Sequence, residues 1–209
     1  MKYIDIVNAA KAYTDRYDEE LIDAMPAFTR VVEAKINNAL RTGDQSCRAR
    51  IYLRRGEEYY TLPCDWGGAR DVELIPDGQQ HGKTLVYLAP EQMNALPRDN
   101  NSRRHHYYTI IAGQIQVAPD TDNQVLEIVY YQRLPELKND EDTNWLTEKN
   151  CDAYIFGLCA EISAFAKDEA SFATYQQRFM TALADITMED QVTRWSGPAL
   201  RVQVEGMIV

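Results

Sequence analysis

Basic residues are the minority charge: 22 lysines and arginines stand against 32 aspartates and glutamates, a formal net charge of −10 over 209 residues. So acidic a surface repels a phosphate backbone and argues against a sequence reader of DNA. It suits plain solubility, or a wall that DNA slides past without sticking. Cysteine is sparse too. Cys47, Cys64, Cys151 and Cys159 form no CxxC pair and no dense framework, so they read as small apolar residues and free thiols rather than a zinc or disulfide scaffold. No apolar run approaches the ~20 residues needed to span a bilayer. The opening MKYIDIVNAAKAY lacks a basic start followed by an unbroken apolar stretch, so neither a signal peptide nor a membrane partner is expected. Glycines nowhere gather into a phosphate-cradling loop, and GxSxG and HExxH are both missing.

What is present reads as helix, sheet, helix and tail, an α+β chain. Ile4, Val7 and Ala10 to Ala12 give a short amphipathic stretch. Asp18 suits the N-cap of a helical turn bearing Leu21 and Ile22, and Pro26 suits the first turn of a new helix. Met25, Phe28, Val32, Ile36 and Leu40 recur at helical spacing, Arg30, Glu33 and Lys35 take polar positions, and Gly43 stands where a stop is expected. From about Arg48 to Arg133 the pattern turns to β. Residues 48–54 and 58–62 read as a hairpin about Gly56-Glu57, and Gly67-Gly68 marks a loop. Further strands are expected at Asp71–Ile75, Lys83–Leu88, Tyr107–Ile111, Gln114–Ala118 and Gln124–Gln132, with the third and fourth paired across Ala112-Gly113. Pro90–Leu96 suits a short helix before a polar loop, Arg98 to Arg104.

Two apolar stripes follow: Tyr154, Ile155, Leu158, Cys159, Ile162 and Phe165, then Phe172, Tyr175, Phe179, Leu183 and Ile186. Only Lys167-Asp168-Glu169 separates them, which predicts an antiparallel helical hairpin. With the stripe of residues 25–40 it closes a bundle of three or more helices, into which a small antiparallel β domain, barrel or sandwich, is inserted. The expected divisions are 1–46 for the N-terminal helices, 47–137 for the β domain, 138–188 for the helical hairpin and 189–209 for an extended arm. In that arm the helical pattern stops near Asp190, Gly197-Pro198 breaks it, and Leu200, Val202 and Val204 alternate with polar residues before Met207-Ile208-Val209. Exposed alone, such an edge is a hazard for strand pairing. It therefore reads as a docking arm, with Trp195, Leu200, Val202, Val204, Met207 and Ile208 as the contact residues and Trp195 as the anchor; folding back on its own sheet is the alternative.

Chemistry finds no foothold. His105-His106 lack a ligand partner at a metal spacing, and strand neighbours point to opposite faces. Asp120, Asp122 and Asn123 resemble a calcium loop, but Val125 occupies the required glycine position; Asp140, Asp142 and Asn144 have Trp145 there and suit helix capping better. Cys64-Asp65 beside Trp66 lacks a base. No catalytic residue, cofactor or metal site is assigned.

Three stretches resemble a known family. They are Pro26-Ala27-Phe28 through Arg41; Tyr60-Thr61-Leu62-Pro63 with Asp65-Trp66; and Gly113 to Pro119 through Leu126–Tyr131, Leu134-Pro135-Glu136-Leu137 and Thr143-Asn144-Trp145-Leu146 to the helix bearing Tyr154 and Gly157. In order and spacing, over residues 20 to 187, they look like the head-to-tail adaptor proteins of podovirus-type bacteriophages; the tail beyond 190 is not matched. The resemblance implies a non-enzymatic virion protein at the head–tail interface, assembled in the bacterial host cytoplasm. It implies a homo-oligomeric ring, expected to hold 12 copies, that binds the portal protein and extends the DNA channel. Such a ring retains the packaged genome, lets DNA pass without sequence-specific binding, and carries tail nozzle or fibre proteins. A ring subunit needs rigid helices, free edges and no catalytic site. Tyr52, Tyr59 and Tyr87 are expected in the core, with subunit seams as the alternative. Two rivals are another tail-tube or nozzle protein, normally longer and richer in β, and a hydrolase or lectin-like module using Trp66, Asp65 and His106.

Overall fold

The computed structural model describes residues 1–76, 79, 82–96, 106–119 and 123–195. The chain forms two compact units, one from Met1–Asp44 together with the chain from Pro135 onward, the other from Gln45–Leu134.

The first unit is helical. It comprises α1 (Tyr3–Thr14), α2 (Glu19–Ala39), α4 (Trp145–Lys149), α5 (Cys151–Phe165) and α6 (Glu169–Trp195). Helix α5 lies at its centre, burying Ala153, Tyr154, Leu158, Cys159 and Ile162, with α1, α2 and α6 packed on it. Gly157 sets the closeness of that packing. A Cβ added there would stand 2.7 Å from Val32 Cγ1 on α2 and 3.2 Å from Phe179 on α6. The expected hairpin is made by α5 and α6. Lys167 turns left-handed at φ 58°, the Asp168 amide donates back to the Ser163 carbonyl at 3.0 Å, and Asp168 Oδ1 accepts the Ser171 amide at 3.1 Å. One residue thus closes a helix while its neighbour caps the next.

Three helical expectations are corrected. Asp18 is the N-cap of one continuous helix through Ala39, with Pro26 inside it rather than opening a second. Proline there deprives the Ile22 carbonyl of its helical donor; Ile22 and Pro26 are exposed, so water can serve that oxygen. Gly43 does not stop α2, which ends at Leu40 in extended backbone; it starts a short 3₁₀ turn, Gly43–Gln45. Helix α6 does not stop near Asp190 but runs to Trp195, so residues 189–195 are helix rather than arm. Asp190 accepts the Gly43 amide at 2.5 Å and pairs with Arg194, whose Nη2 donates to the Arg41 carbonyl at 3.2 Å.

The second unit holds two four-stranded sheets. One has the order β1 (Ser46–Tyr52), β8 (Gln124–Gln132), β3 (Trp66–Pro76), β4 (Lys83–Thr84), all antiparallel. The other runs β2 (Tyr59–Thr61), β7 (Gln114–Ala118), β6 (Tyr107–Ile111), β5 (Val86–Tyr87), where β5 and β6 are parallel. Both sheets contribute to one core, including Val72, Leu74, Leu126 and Ile128 from the first and Tyr60, Tyr108 and Ile115 from the second. Neither closes into a barrel. A short helix, α3 (Pro90–Asn94), precedes β6.

The predicted pairing across Ala112-Gly113 is present: both residues take positive φ, 49° and 76°, and Ile111 faces Gln114. The predicted hairpin of residues 48–62 is not. Its arms belong to different sheets, because Leu53 is buried and its amide donates to the Gln124 carbonyl at 2.9 Å, while Tyr60 Oη bonds both the amide and the carbonyl of Arg54. Gly67-Gly68 is not a loop but the irregular start of β3, with register shifts on either side of Gly68 and Ala69. Lys83–Leu88 is two short strands in two sheets, since the Leu85 amide donates to Val72 and the Val86 amide to His106.

Candidate interaction surfaces

His105, Asp120 and Asp122 lie outside the described residues. His106 is half-buried, its Nδ1 has no hydrogen-bond partner, and burial followed by the nearby Lys83 pushes its pKa down. Among the described residues no group of three or more His, Cys, Asp or Glu is arranged to hold a metal ion, and no helix is long and apolar enough to cross a membrane. Asn123 takes a left-handed turn at φ 55°.

The Asp140–Asn144 loop is capping machinery. Asp142 accepts the amides of Asn139 at 2.8 Å and Lys138 at 2.9 Å, which hold its carboxyl below the usual range. The folded loop presents the Asp142 and Asp140 carbonyls to the first amides of α1, Tyr3 at 3.0 Å and Ile4 at 3.1 Å. Asn144 caps α4, its side chain accepting the Thr147 amide at 3.0 Å. Near Cys64, Asp65 accepts the Tyr130 hydroxyl at 3.0 Å and Trp66 stacks on the Tyr130 ring at 5.3 Å. Burial and then that carboxylate push the Tyr130 pKa up to about 12. The contact orders side chains; the phenol is a poor base at neutral pH.

The buried polar cluster escaped the sequence reading. Glu33, assigned to a polar position, is buried. Its Oε1 accepts the Leu137 amide at 2.9 Å and lies 3.5 Å from the Tyr154 hydroxyl, and burial pushes its pKa up. Asn144 Nδ2 donates to Tyr154 Oη at 2.9 Å and to the Pro135 carbonyl at 3.1 Å. One helical turn before Glu33, Thr29 Oγ1 lies 3.0 Å from Tyr3 Oη. The only sequence signal was that Glu33 directly follows Val32 and sits three residues before Ile36, on the apolar side of α2. Enclosed and mutually satisfied, the cluster fastens residues 135–147 onto α2 and α5; it presents nothing to a substrate.

Surfaces that offer contact are elsewhere. The core expected for Tyr52, Tyr59 and Tyr87 is corrected: they are 72%, 49% and 53% exposed. All three lie on edge strands, β1, β2 and β5. An edge strand with exposed aromatic side chains offers main-chain groups and apolar area together. In the helical unit an open groove of about 470 Å³ runs beside α5 and α6, lined by Asp152 and Asp185 among others, and there the Arg178 guanidinium sits 5.6 Å from the Phe156 ring centre. Of the expected docking residues, Trp195 is the last residue of α6. Leu200, Val202, Val204, Met207 and Ile208 lie outside the described residues.

No curated protein matches the chain. A family model described as SU10 adaptor protein matches residues 1–202, including both units and the segment beyond 190 that the sequence resemblance left unmatched. The chain therefore belongs to the SU10 adaptor protein family, structural proteins of the phage head-to-tail junction.

Proposed function

We propose that this adaptor assembles as a ring of 12 copies beneath the portal protein, extends the DNA channel, retains the packaged genome and carries the tail nozzle or fibre proteins. The observation that carries this reading is the extent of the family match, which includes the helical unit, the β unit and the chain to residue 202. Three features support it. The buried network about Glu33 and Asn144 makes the helical unit a rigid piece. The exposed edge tyrosines give the β unit places for neighbours. The net charge of −10 suits a channel wall that DNA passes without binding.

Docking on the portal falls to the C-terminal arm in this reading. Because Asp190 and Arg194 belong to the fold, the arm to test begins after Trp195. The chain ending at Trp195 is expected to keep the full-length circular dichroism spectrum and melting temperature while losing retention on immobilised portal from the same phage. Undiminished retention would remove the arm from the account.

A further inference from the structure

Helix α6 carries apolar side chains on two opposite faces. At 3.6 residues per turn, Phe179, Leu183 and Ile186 share the buried side. Met180, Ala184, Met188 and Val192 fall on the other side, and Met180, Met188 and Val192 are 55%, 65% and 65% exposed. A solvated helix face is normally where charge collects. In a chain with 26% charged residues, this outward third of α6 holds none between Ala170 and Val192. Arg178, Asp185 and Glu189 run along one border of it. Depletion of charge with methionine at the centre is the composition of an interface, not of a free surface.

A second such face lies on α2. Opposite the buried Leu21, Met25, Val32 and Ile36, the row Ala27, Val31, Ala34 and Asn38 is exposed and uncharged, at alternating four- and three-residue spacing. Arg30 and Asp23 border this row; Arg30 acts electrostatically on Glu33 and Glu136, and among the described residues no ion pair within 4 Å holds Arg30, Asp23, or Asp185 and Glu189 on α6. The two faces complement each other in size, long Met side chains against Ala, and both borders carry mixed charge at matching seven-residue spacing, so that Arg30 can meet Asp185 where Asp23 meets Arg178.

We propose that the Met180–Val192 face of α6 packs on the Ala27–Asn38 face of α2 in a second copy of this chain. The charge argues for that occupant: two copies at −10 each repel wherever their surfaces meet, except where neither brings like charges. Two different patches on one molecule make a head-to-tail contact, and such contacts repeat around a closed ring. The inference rests on the ring reading above and names its seam.

The test uses two exposed-site variants of the full chain, Met180→Glu/Met188→Glu and Val31→Glu/Ala34→Glu, with Asn8→Glu/Ala12→Glu on α1 as the control for added charge. Glutaraldehyde cross-linking at high protein concentration is expected to give a multimer ladder for the wild type and the control. Each seam variant alone is expected to give monomer, with an unchanged circular dichroism spectrum. Mixed one to one, the two variants still share one intact seam, so the mixture is expected to give dimers and nothing larger. Ladders from both variants would overturn the seam and leave the ring reading standing. So would a ladder that the full chain lacks and the chain ending at Trp195 forms, since the arm would then cover the face within one copy. A wild type that never forms a ladder overturns the second copy as occupant; if it also forms no ring on portal, the ring reading falls with it.

Discussion

The helical unit and the β unit specify themselves differently. The β unit is one continuous stretch of chain, and its shared core is a set of aliphatic and aromatic side chains from two sheets. Its buried Glu127 is paired with Arg50 at 2.7 Å and Arg48 at 3.3 Å, cross-strand partners on the non-core side of the first sheet. There, register follows from strand alternation and turns. The helical unit is assembled from two segments separated by the whole β region. It buries Thr29, Glu33, Asn144, Thr147 and Ser163. Apolar packing alone lets one helix slide on another; hydrogen bonds from the Leu137 amide to Glu33 and from Asn144 to Tyr154 allow one register. A unit closed by remote segments therefore leans on polar matching, and a contiguous one leans on pattern.

That contrast breaks first at Tyr154. Tyr154→Ala removes a fully buried ring and leaves Asn144 Nδ2 short of an acceptor. It is expected to cost about 3–5 kcal/mol, read by denaturant unfolding. Gly157→Ala should cost about 1–3 kcal/mol, because its Cβ meets Val32 on α2 and Phe179 on α6.

Glu33 sharpens the comparison by pH. Its pKa is raised by burial, so the protonated form contributes stability in full below the ordinary carboxylate range. That contribution is lost as pH rises through the raised pKa. Glu33→Gln is expected to flatten the fall in melting temperature as pH rises from the ordinary carboxylate range through the raised pKa. Glu33→Ala is expected to lower stability by about 1–3 kcal/mol across that range, since the Leu137 amide loses its acceptor. A pH profile unchanged by Glu33→Gln would show that the carboxyl does not titrate against burial. At the small end, Tyr52→Ser and Tyr87→Ser on the β unit's edges should change stability by no more than about 0.5 kcal/mol, while reducing any contact those edges make.

The fold is most legible in the sequence where local signals agree. Tyr107 to Gln132 alternates cleanly and turns at Ala112-Gly113, and all three strands fall where the pattern places them. It is least legible where tertiary structure overrides a local signal. Gly56 looks like the turn of a hairpin, but the buried Leu53 and the Tyr60 hydroxyl carry the chain from one sheet to the other. Pro26 looks like a helix start, yet α2 tolerates it because the affected carbonyl lies on the wet side. Residues 189–195 look like the beginning of an arm, but Asp190 and Arg194 tie them to Gly43 and Arg41, contacts no local pattern reveals. Glu33 is the instructive miss. Its carboxyl lies on the apolar side of α2, and the Leu137 amide that satisfies it there is 104 residues away. The family resemblance was legible because many of its quoted residues, Tyr154, Gly157, Asn144 and Leu137 among them, build the core and the polar fastening. The contact surfaces were less so, since exposure is not written in a local pattern.

A ring seated on the portal is tested most directly by electron microscopy of the full chain mixed with its portal. The account predicts class averages with a second ring stacked coaxially on the portal, present with the full chain and missing with the chain ending at Trp195. Portal rings unchanged by the full chain, or single copies bound around their rim without closing, would contradict it.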